Sequence, residues 1–294
     1  MQLHLVDATY ELFRAFYAPR PPVLSADGRD LTATWGLVEN LLSILRDEGA
    51  THLAAATDRV IESFRNDLYA GYKTGAGVDP TLMAQFPIAE AAIEALGIPL
   101  WPMVAFEADD AIATAVERWA DEPAVDGIVI CSPDKDMAQC VRGERVVLLD
   151  RRRRLTYDEA GVIAKWGVRP ASVPDLLALV GDAADGYPGL PGWGAKSAAA
   201  VLFRYGSLDA IPVRASDWDV NVRGAVILAA TLQDQLEEAL LYRTLARLRT
   251  DAPLTETSVE QLRWRGAPRE RWLAFCDEIG LERLRSRPPR WLES

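Results

Sequence analysis

The chain has 294 residues, 49% of them hydrophobic, with a formal net charge of −11. That is enough apolar material for one large domain or two moderate ones, each with a full core. The acidic balance argues against a uniformly basic nucleic-acid coat and leaves room for a local basic path.

The two histidines, His4 and His52, argue against a His-based zinc site or a Ser-His-Asp triad. Three cysteines with no CxxC spacing suit a reducing cytoplasm and supply no disulfide framework. No apolar run approaches the roughly 18 residues of a membrane span. The N-terminus runs directly into a strand pattern without a signal peptide, so a cytoplasmic protein with no membrane partner is expected.

In chain order, residues 2–6 read as a short strand stopped by Asp7, and 10–17 as a helix. A proline-bearing loop follows, then an amphipathic helix over 34–48 closed by Gly49. Residues 52–56 form a second strand pattern ending near Asp58, 88–96 a helix, and 98–101 an extended piece. A strand over 127–131 leads into Ser132-Pro133-Asp134-Lys135-Asp136, and another covers 145–149. Strands alternating with helices predict an α/β parallel sheet. From Glu159 the pattern turns helical, over 159–166, 173–180, 197–205, 222–232 and 236–245. A boundary is placed near 168–170, giving a catalytic domain at 1–168, a helical subdomain at 169–250 and a C-terminal segment at 251–294. Trp264, Trp272 and Trp291 in that segment read as packing anchors.

The stretch Phe106-Glu107-Ala108-Asp109-Asp110 packs three carboxylates into four residues at the start of a helix-periodic run. Such a cluster is either an N-terminal cap or a cation site, and by itself it leaves both readings open. The positions of the other acids favour the cation. Asp7, Asp58, Asp134 and Asp136 all sit just past strand patterns, at the edge where α/β sheets bind ligands. Gly181-Asp182-Ala183-Ala184-Asp185 adds two more acids at i and i+3. The segment Gly186-Tyr187-Pro188-Gly189-Leu190-Pro191-Gly192-Trp193-Gly194-Ala195-Lys196 then brackets a tight turn with glycines and opens a helix. That is a helix-hairpin-helix pattern, which offers backbone N–H groups and one lysine to a nucleic-acid phosphate.

Taken together and in order, these motifs resemble the 5′ nuclease domain of bacterial DNA polymerase I and the related flap endonucleases and phage 5′ exonucleases. The resemblance runs from about Leu5 to about Leu245. It rests on Leu5-Val6-Asp7 with Arg14, Asp58 followed by Ser63-Phe64-Arg65 and Gly71-Tyr72-Lys73, the Glu107–Asp110 signature, the Asp134-Lys135-Asp136 motif, and the Gly181–Lys196 block. There are departures: Ala8 replaces a glycine, Arg59 a small residue, Ala76 an arginine, and Gly186 an asparagine.

The resemblance implies a PIN-like sheet flanked by helices, with an all-helical helix-hairpin-helix subdomain, in a stand-alone monomeric 5′-3′ exonuclease and flap endonuclease of DNA replication or repair. Nine acids would serve its metal site. Asp7, Asp58, Glu107, Asp109 and Asp110 would hold the tighter ion, and Asp134, Asp136, Asp182 and Asp185 the second. Hard oxygen donors select Mg²⁺, with Mn²⁺ as a substitute. K⁺ is a further implied ion at the helix-hairpin-helix. Lys73 and Arg65 would stabilise the transferring phosphate. Arg14, Tyr72, Gly189, Gly192, Gly194 and Lys196 would contact DNA carrying 5′ ends, flaps or duplex–single-strand junctions. Arg151-Arg152-Arg153-Arg154 is a second candidate for duplex phosphates. Arg59, a cation next to Asp58, would influence the metal site. Two other readings stay in play: a non-catalytic junction-binding protein of the same fold, and a PIN-type ribonuclease. Asp7-Ala8-Thr9 lacks the second aspartate of a HAD-type phosphatase.

Overall fold

A computed structural model describes residues Met1–Glu293. The elements run β1 (Gln2–Asp7), α1 (Ala8–Phe16), α2 (Thr32–Asp47), β2 (His52–Asp58), α3 (Phe64–Leu68), α4 (Pro80–Met83), α5 (Phe86–Ala95), β3 (Leu100–Met103), α6 (Ala108–Trp119) and β4 (Gly127–Cys131). They continue with β5 (Val146–Asp150), β6 (Leu155–Tyr157), α7 (Glu159–Trp166), α8 (Val173–Val180), α9 (Ala195–Tyr205), α10 (Ala225–Asp234), α11 (Leu236–Ala246) and α12 (Arg269–Ile279). Two units result: Met1–Ile61, Gly75–Cys131 and the described residues from Thr250 on form the first, while Glu62–Thr74 and Ser132–Arg249 form the second. The sequence boundary near 168–170 falls inside the second unit.

In the first unit β1 pairs in parallel with β2 and β4, and β2 with β3, giving the order β3-β2-β1-β4. The central strands are apolar on both faces because helices cover both, as parallel sheets require. Leu3, Leu5, Leu53, Ala55 and Ile130 are buried accordingly. The C-terminal segment packs into this unit through its tryptophans. Trp264 donates its indole N–H to the Leu96 carbonyl at 2.8 Å, and Trp272 to that of Leu284 at 3.0 Å.

The second unit holds α3, the hairpin β5–β6 and helices α7 to α11. The expected parallel sheet is mostly parallel: β5 and β6 pair antiparallel. β6 was not predicted. It is three residues long with little burial, so it has no apolar alternation to read. Arg151–Arg154 form the hairpin tip, with Arg154 at φ 55 and Arg153 donating its backbone N–H to Asp150.

Candidate metal centre and phosphate hairpin

The first unit gathers five of the predicted acids at the carboxyl ends of its strands. Asp7 ends β1 and caps α1, accepting the Tyr10 N–H at 2.8 Å. Asp58 ends β2. Its own N–H donates to the Thr9 hydroxyl at 2.7 Å, and its Oδ1 accepts the Ala108 N–H at 2.6 Å. That bond draws Asp58 to the start of α6, where Glu107 and Asp110 form a reciprocal capping box. The capping and ligand readings of this cluster are therefore compatible: the cap fixes the carboxylates, and the strand ends bring Asp58 to them. Glu107 and Asp110 are buried, while Asp58 and Asp109 keep partial exposure. Arg14 bonds Glu11 on α1 through its Nε at 2.8 Å.

Arg59 stands apart from the expectation that it acts on the metal site. Its Nε and Nη2 both donate to Glu90 Oε2 on α5, at 2.9 and 2.6 Å, and Thr57 donates to the other oxygen of that carboxylate. The partner lies 31 residues away in sequence, so no local pattern could have revealed it.

In the second unit Asp136, Asp182 and Asp185 offer carboxylate oxygens that all lie within 4.8 Å of one another. A tight turn after α8 builds this triad: Asp182 donates its N–H to the Tyr187 carbonyl at 2.8 Å, and Gly186 donates back to Asp182 at 2.9 Å. Asp134 is exposed and accepts the Asp136 N–H at 3.0 Å. All three triad members are buried, and Asp136 Oδ1 has no hydrogen-bond partner. Burial, and then the fields of Asp134, Asp185 and Asp182, push the Asp136 carboxyl well above the usual carboxylate range. Gathered oxygen donors, no nitrogen or sulfur, and one orphaned buried oxygen fit a hard divalent cation.

Two ammonium groups already lie on this triad. Lys73 Nζ sits 3.0 Å from Asp185 Oδ1, and Lys135 Nζ donates to Asp182 Oδ2. Burial alone would lower the Lys135 pKa; the bond to Asp182 and the charges of Asp136, Asp182 and Asp134 outweigh it and raise it. Lys73 is tethered twice, because its backbone N–H also donates to the Asp185 carbonyl at 2.9 Å. Asn66, a residue given no role in the sequence reading, holds the same stretch by donating to the Lys73 carbonyl at 3.0 Å. The Ser63-x-x-Asn66 spacing, a capping box at the start of α3, was its available signal.

Arg65 and Tyr72 are placed differently from their predicted roles. Arg65 is 1% exposed, and its guanidinium donates to the carbonyls of Leu245 and Arg247 at the end of α11, at 2.8 and 3.1 Å. Tyr72 is 3% exposed, so no face of its ring is open to a base. Both residues are part of this unit's interior, where a long apolar stem and a ring pack more favourably than in water.

The predicted hairpin joins α8 to α9. Gly181 and Gly189 have φ 81 and 71 and press backbone against backbone: a Cβ on Gly189 would lie 2.3 Å from the Gly181 nitrogen. Gly189 is therefore a closure point, buried away from any phosphate, whereas Gly192, Gly194 and Lys196 are exposed. Gly194 caps α9, and a Cβ there would meet nothing within 4 Å. Gly192, Gly194, Lys196, Arg223 and Gly224 line a cavity of about 770 Å³ that faces the starts of both α9 and α10.

The acids at the carboxyl edge of the parallel sheet, the oxygen-only triad and the glycine hairpin opening α9 all lie within the reach of two matching family models. The family model described as "5′-3′ exonuclease, N-terminal resolvase-like domain" matches residues 2–167, and that described as "5′-3′ exonuclease, C-terminal SAM fold" matches 168–270. The chain belongs to the 5′-3′ exonuclease family. It is 36% identical over 290 residues to DNA polymerase I of Mycobacterium leprae, covering 97% of this chain and 31% of that protein. It is 34% identical over 210 residues to the 5′-3′ exonuclease of Aquifex aeolicus, covering 71% of each. The chain spans about a third of the length of the polymerases it matches. Among solved structures, the bacteriophage T5 flap endonuclease in a complex with DNA and metal ions is similar at a TM-score of 0.66 and 19% identity, covering 84% of this chain and 89% of that one.

Proposed function

We propose that the chain hydrolyses phosphodiester bonds near the 5′ ends of DNA, as an exonuclease and flap endonuclease, with divalent cations held by its carboxylates. The observation that carries this reading is the buried triad Asp136, Asp182 and Asp185 with an unpartnered oxygen, in a chain of the 5′-3′ exonuclease family. The T5 structure that contains DNA and metal ions supports it by fold.

Divalent ions held by these acids would supply an activated water and charge neutralisation at the scissile phosphate. Asp7, Asp58, Glu107, Asp109 and Asp110 are assigned to one ion. Asp136, Asp182 and Asp185, with Asp134 beside them, are assigned to the other. Mg²⁺ is the expected ion, because every donor is a hard oxygen. Lys73 presents an ammonium beside the triad, where it can meet negative charge developing on the phosphate. The exposed backbone at Gly192 and Gly194, with Lys196, would grip phosphates of a duplex arm without reading bases. Arg65 and Tyr72, both buried, stabilise the interior of the second unit instead of touching DNA. No helix among the described residues is long and apolar enough to cross a membrane. The three cysteines are free and buried, which suits work on DNA in a reducing cytoplasm.

The test is a 5′-labelled flap duplex incubated with the pure protein, with Mg²⁺ and with EDTA. Mg²⁺-dependent release of short 5′ products is expected. Tight flap binding with no cleavage at any Mg²⁺ or Mn²⁺ concentration would replace the enzyme by a junction-binding protein.

A further inference from the structure

Lys135 sits between two acids, Asp134 and Asp136, and donates to a third, Asp182. Nothing in the reaction described above uses it. The triad it touches is crowded: Asp182 Oδ1 accepts the Ala184 N–H at 3.0 Å and its Oδ2 takes Lys135, Asp185 takes Lys73 at 3.0 Å, and Asp136 Oδ1 takes no donor. Buried carboxylates held this close repel strongly unless a positive charge is placed among them. A divalent ion could provide that charge. Two ammonium groups, those of Lys73 and Lys135, also provide it.

We propose that Lys135 is a built-in counter-cation that holds Asp182 in the ion-free protein and competes with the divalent ion for the triad. This rests on the reading that the triad holds such an ion. Lys135 is a positioning residue with a tuning role, distinct from Lys73. Its backbone lies between Asp134 and Asp136, and its ammonium reaches Asp182, which keeps its charge close to the triad. A fixed positive charge a few ångströms from an incoming cation raises the ion concentration needed to fill the site. The same charge relieves repulsion when the site is empty. Lys135 thus trades metal affinity for ion-free stability, and the triad fills late and releases its ion easily.

The experiment measures Mn²⁺ binding by calorimetry, and by the electron paramagnetic resonance of free Mn²⁺, without DNA. The whole chain is used as wild type, Lys135→Met, Lys135→Arg and Asp136→Asn. The ion assigned to the triad is the one lost in Asp136→Asn. For that ion, Lys135→Met is expected to bind about tenfold more tightly. Its melting temperature in EDTA should fall and recover with saturating Mn²⁺, and Lys135→Arg should behave like wild type. Unchanged or weaker Mn²⁺ binding by Lys135→Met, with the triad ion still present in wild type, overturns the proposal: Lys135 would then merely orient Asp182. If Asp136→Asn binds as many ions as wild type, the triad is not an ion site, and the proposal and the reading beneath it fall together.

Discussion

Gly186 offers a sharp test of how the triad and Lys73 are held. It has φ +88, and a Cβ placed on it would lie 2.2 Å from the Gly71 carbonyl oxygen. The obstacle is backbone, fixed on its other side by the Lys73 N–H bond to Asp185. Two costs follow for Gly186→Ala. Left-handed backbone costs a non-glycine residue roughly 1–2 kcal/mol. Overpacking against a backbone that cannot turn aside costs roughly 1–3 kcal/mol more.

Gly28 separates the two costs, because it has φ +86 and nothing within 4 Å of its would-be Cβ. Gly28→Ala should therefore show the first cost alone, and Gly186→Ala both. At about 2–4 °C of melting temperature per kcal/mol for a chain of this size, Gly186→Ala should melt clearly below Gly28→Ala. Its single-turnover rate on a flap substrate should also fall, on the order of 10²-fold for a displacement near 1 Å, because Gly71 can retreat only by carrying Lys73 with it. Gly28→Ala should cleave at the wild-type rate. The assays are thermal melting in EDTA and rapid-quench cleavage. If the two variants melt together and both cleave like wild type, Gly71 is not packed on Gly186, and the tether that places Lys73 is wrong.

Arg65→Met should act on stability, losing roughly 2–5 kcal/mol in urea unfolding because the Leu245 and Arg247 carbonyls lose their buried donor. Lys73→Ala should act mainly on rate, lowering the single-turnover rate about 10²-fold, with a smaller loss of stability than Arg65→Met because the Lys73 ammonium keeps partial exposure; equal effects of the two variants on rate and stability would erase the distinction. Gly194→Val should leave the melting temperature near wild type, since its φ is −109 and no atom lies within 4 Å. It should weaken binding to flaps with a long downstream duplex, measured by anisotropy at several salt concentrations, and wild-type affinity there would reduce the hairpin to a structural turn.

What was legible in the sequence was whatever repeats or ends abruptly. Strands β1 and β2 announce themselves as apolar runs closed by an acid, and α7 and α8 fall on their predicted bounds because caps and glycines mark their ends. The partners of the charges were not legible. Arg59 and Arg65 read alike as cations near a motif, yet one finds Glu90 and the other finds the free carbonyls at the end of α11. Such carbonyls exist at every helix end, so which arginine reaches them is a property of packing. Tyr72 was taken for a stacking surface by the same error, since an aromatic beside a lysine fits a buried wedge as well as an exposed face. Lys135 shows no role in the sequence beyond its place between Asp134 and Asp136, because only the fold brings Asp182, 47 residues on, to its ammonium.

The glycine hairpin and the ion triad are one piece of backbone. Gly181 and Gly189 lock the turn so closely that neither admits a Cβ, and Asp182 and Asp185 project from the loop that this lock closes. The loop is pinned again by Tyr187, which stacks on Tyr242 with ring centroids 5.6 Å apart, while Tyr242 meets Tyr69 edge-on at 5.9 Å. Tyr69 in turn accepts the Tyr72 N–H through its carbonyl, at the base of the stretch that carries Lys73. Two carboxylates of the triad, the lysine and the start of the phosphate hairpin are thus fixed by a single set of backbone and ring contacts. Preorganisation of this kind lowers the cost of holding like charges together, because the fold has already fixed the groups before any ligand arrives. In this chain the missing Cβ of Gly186 lets Gly71 approach closely, beside the point where Lys73 and Asp185 bond through both backbone and side chain.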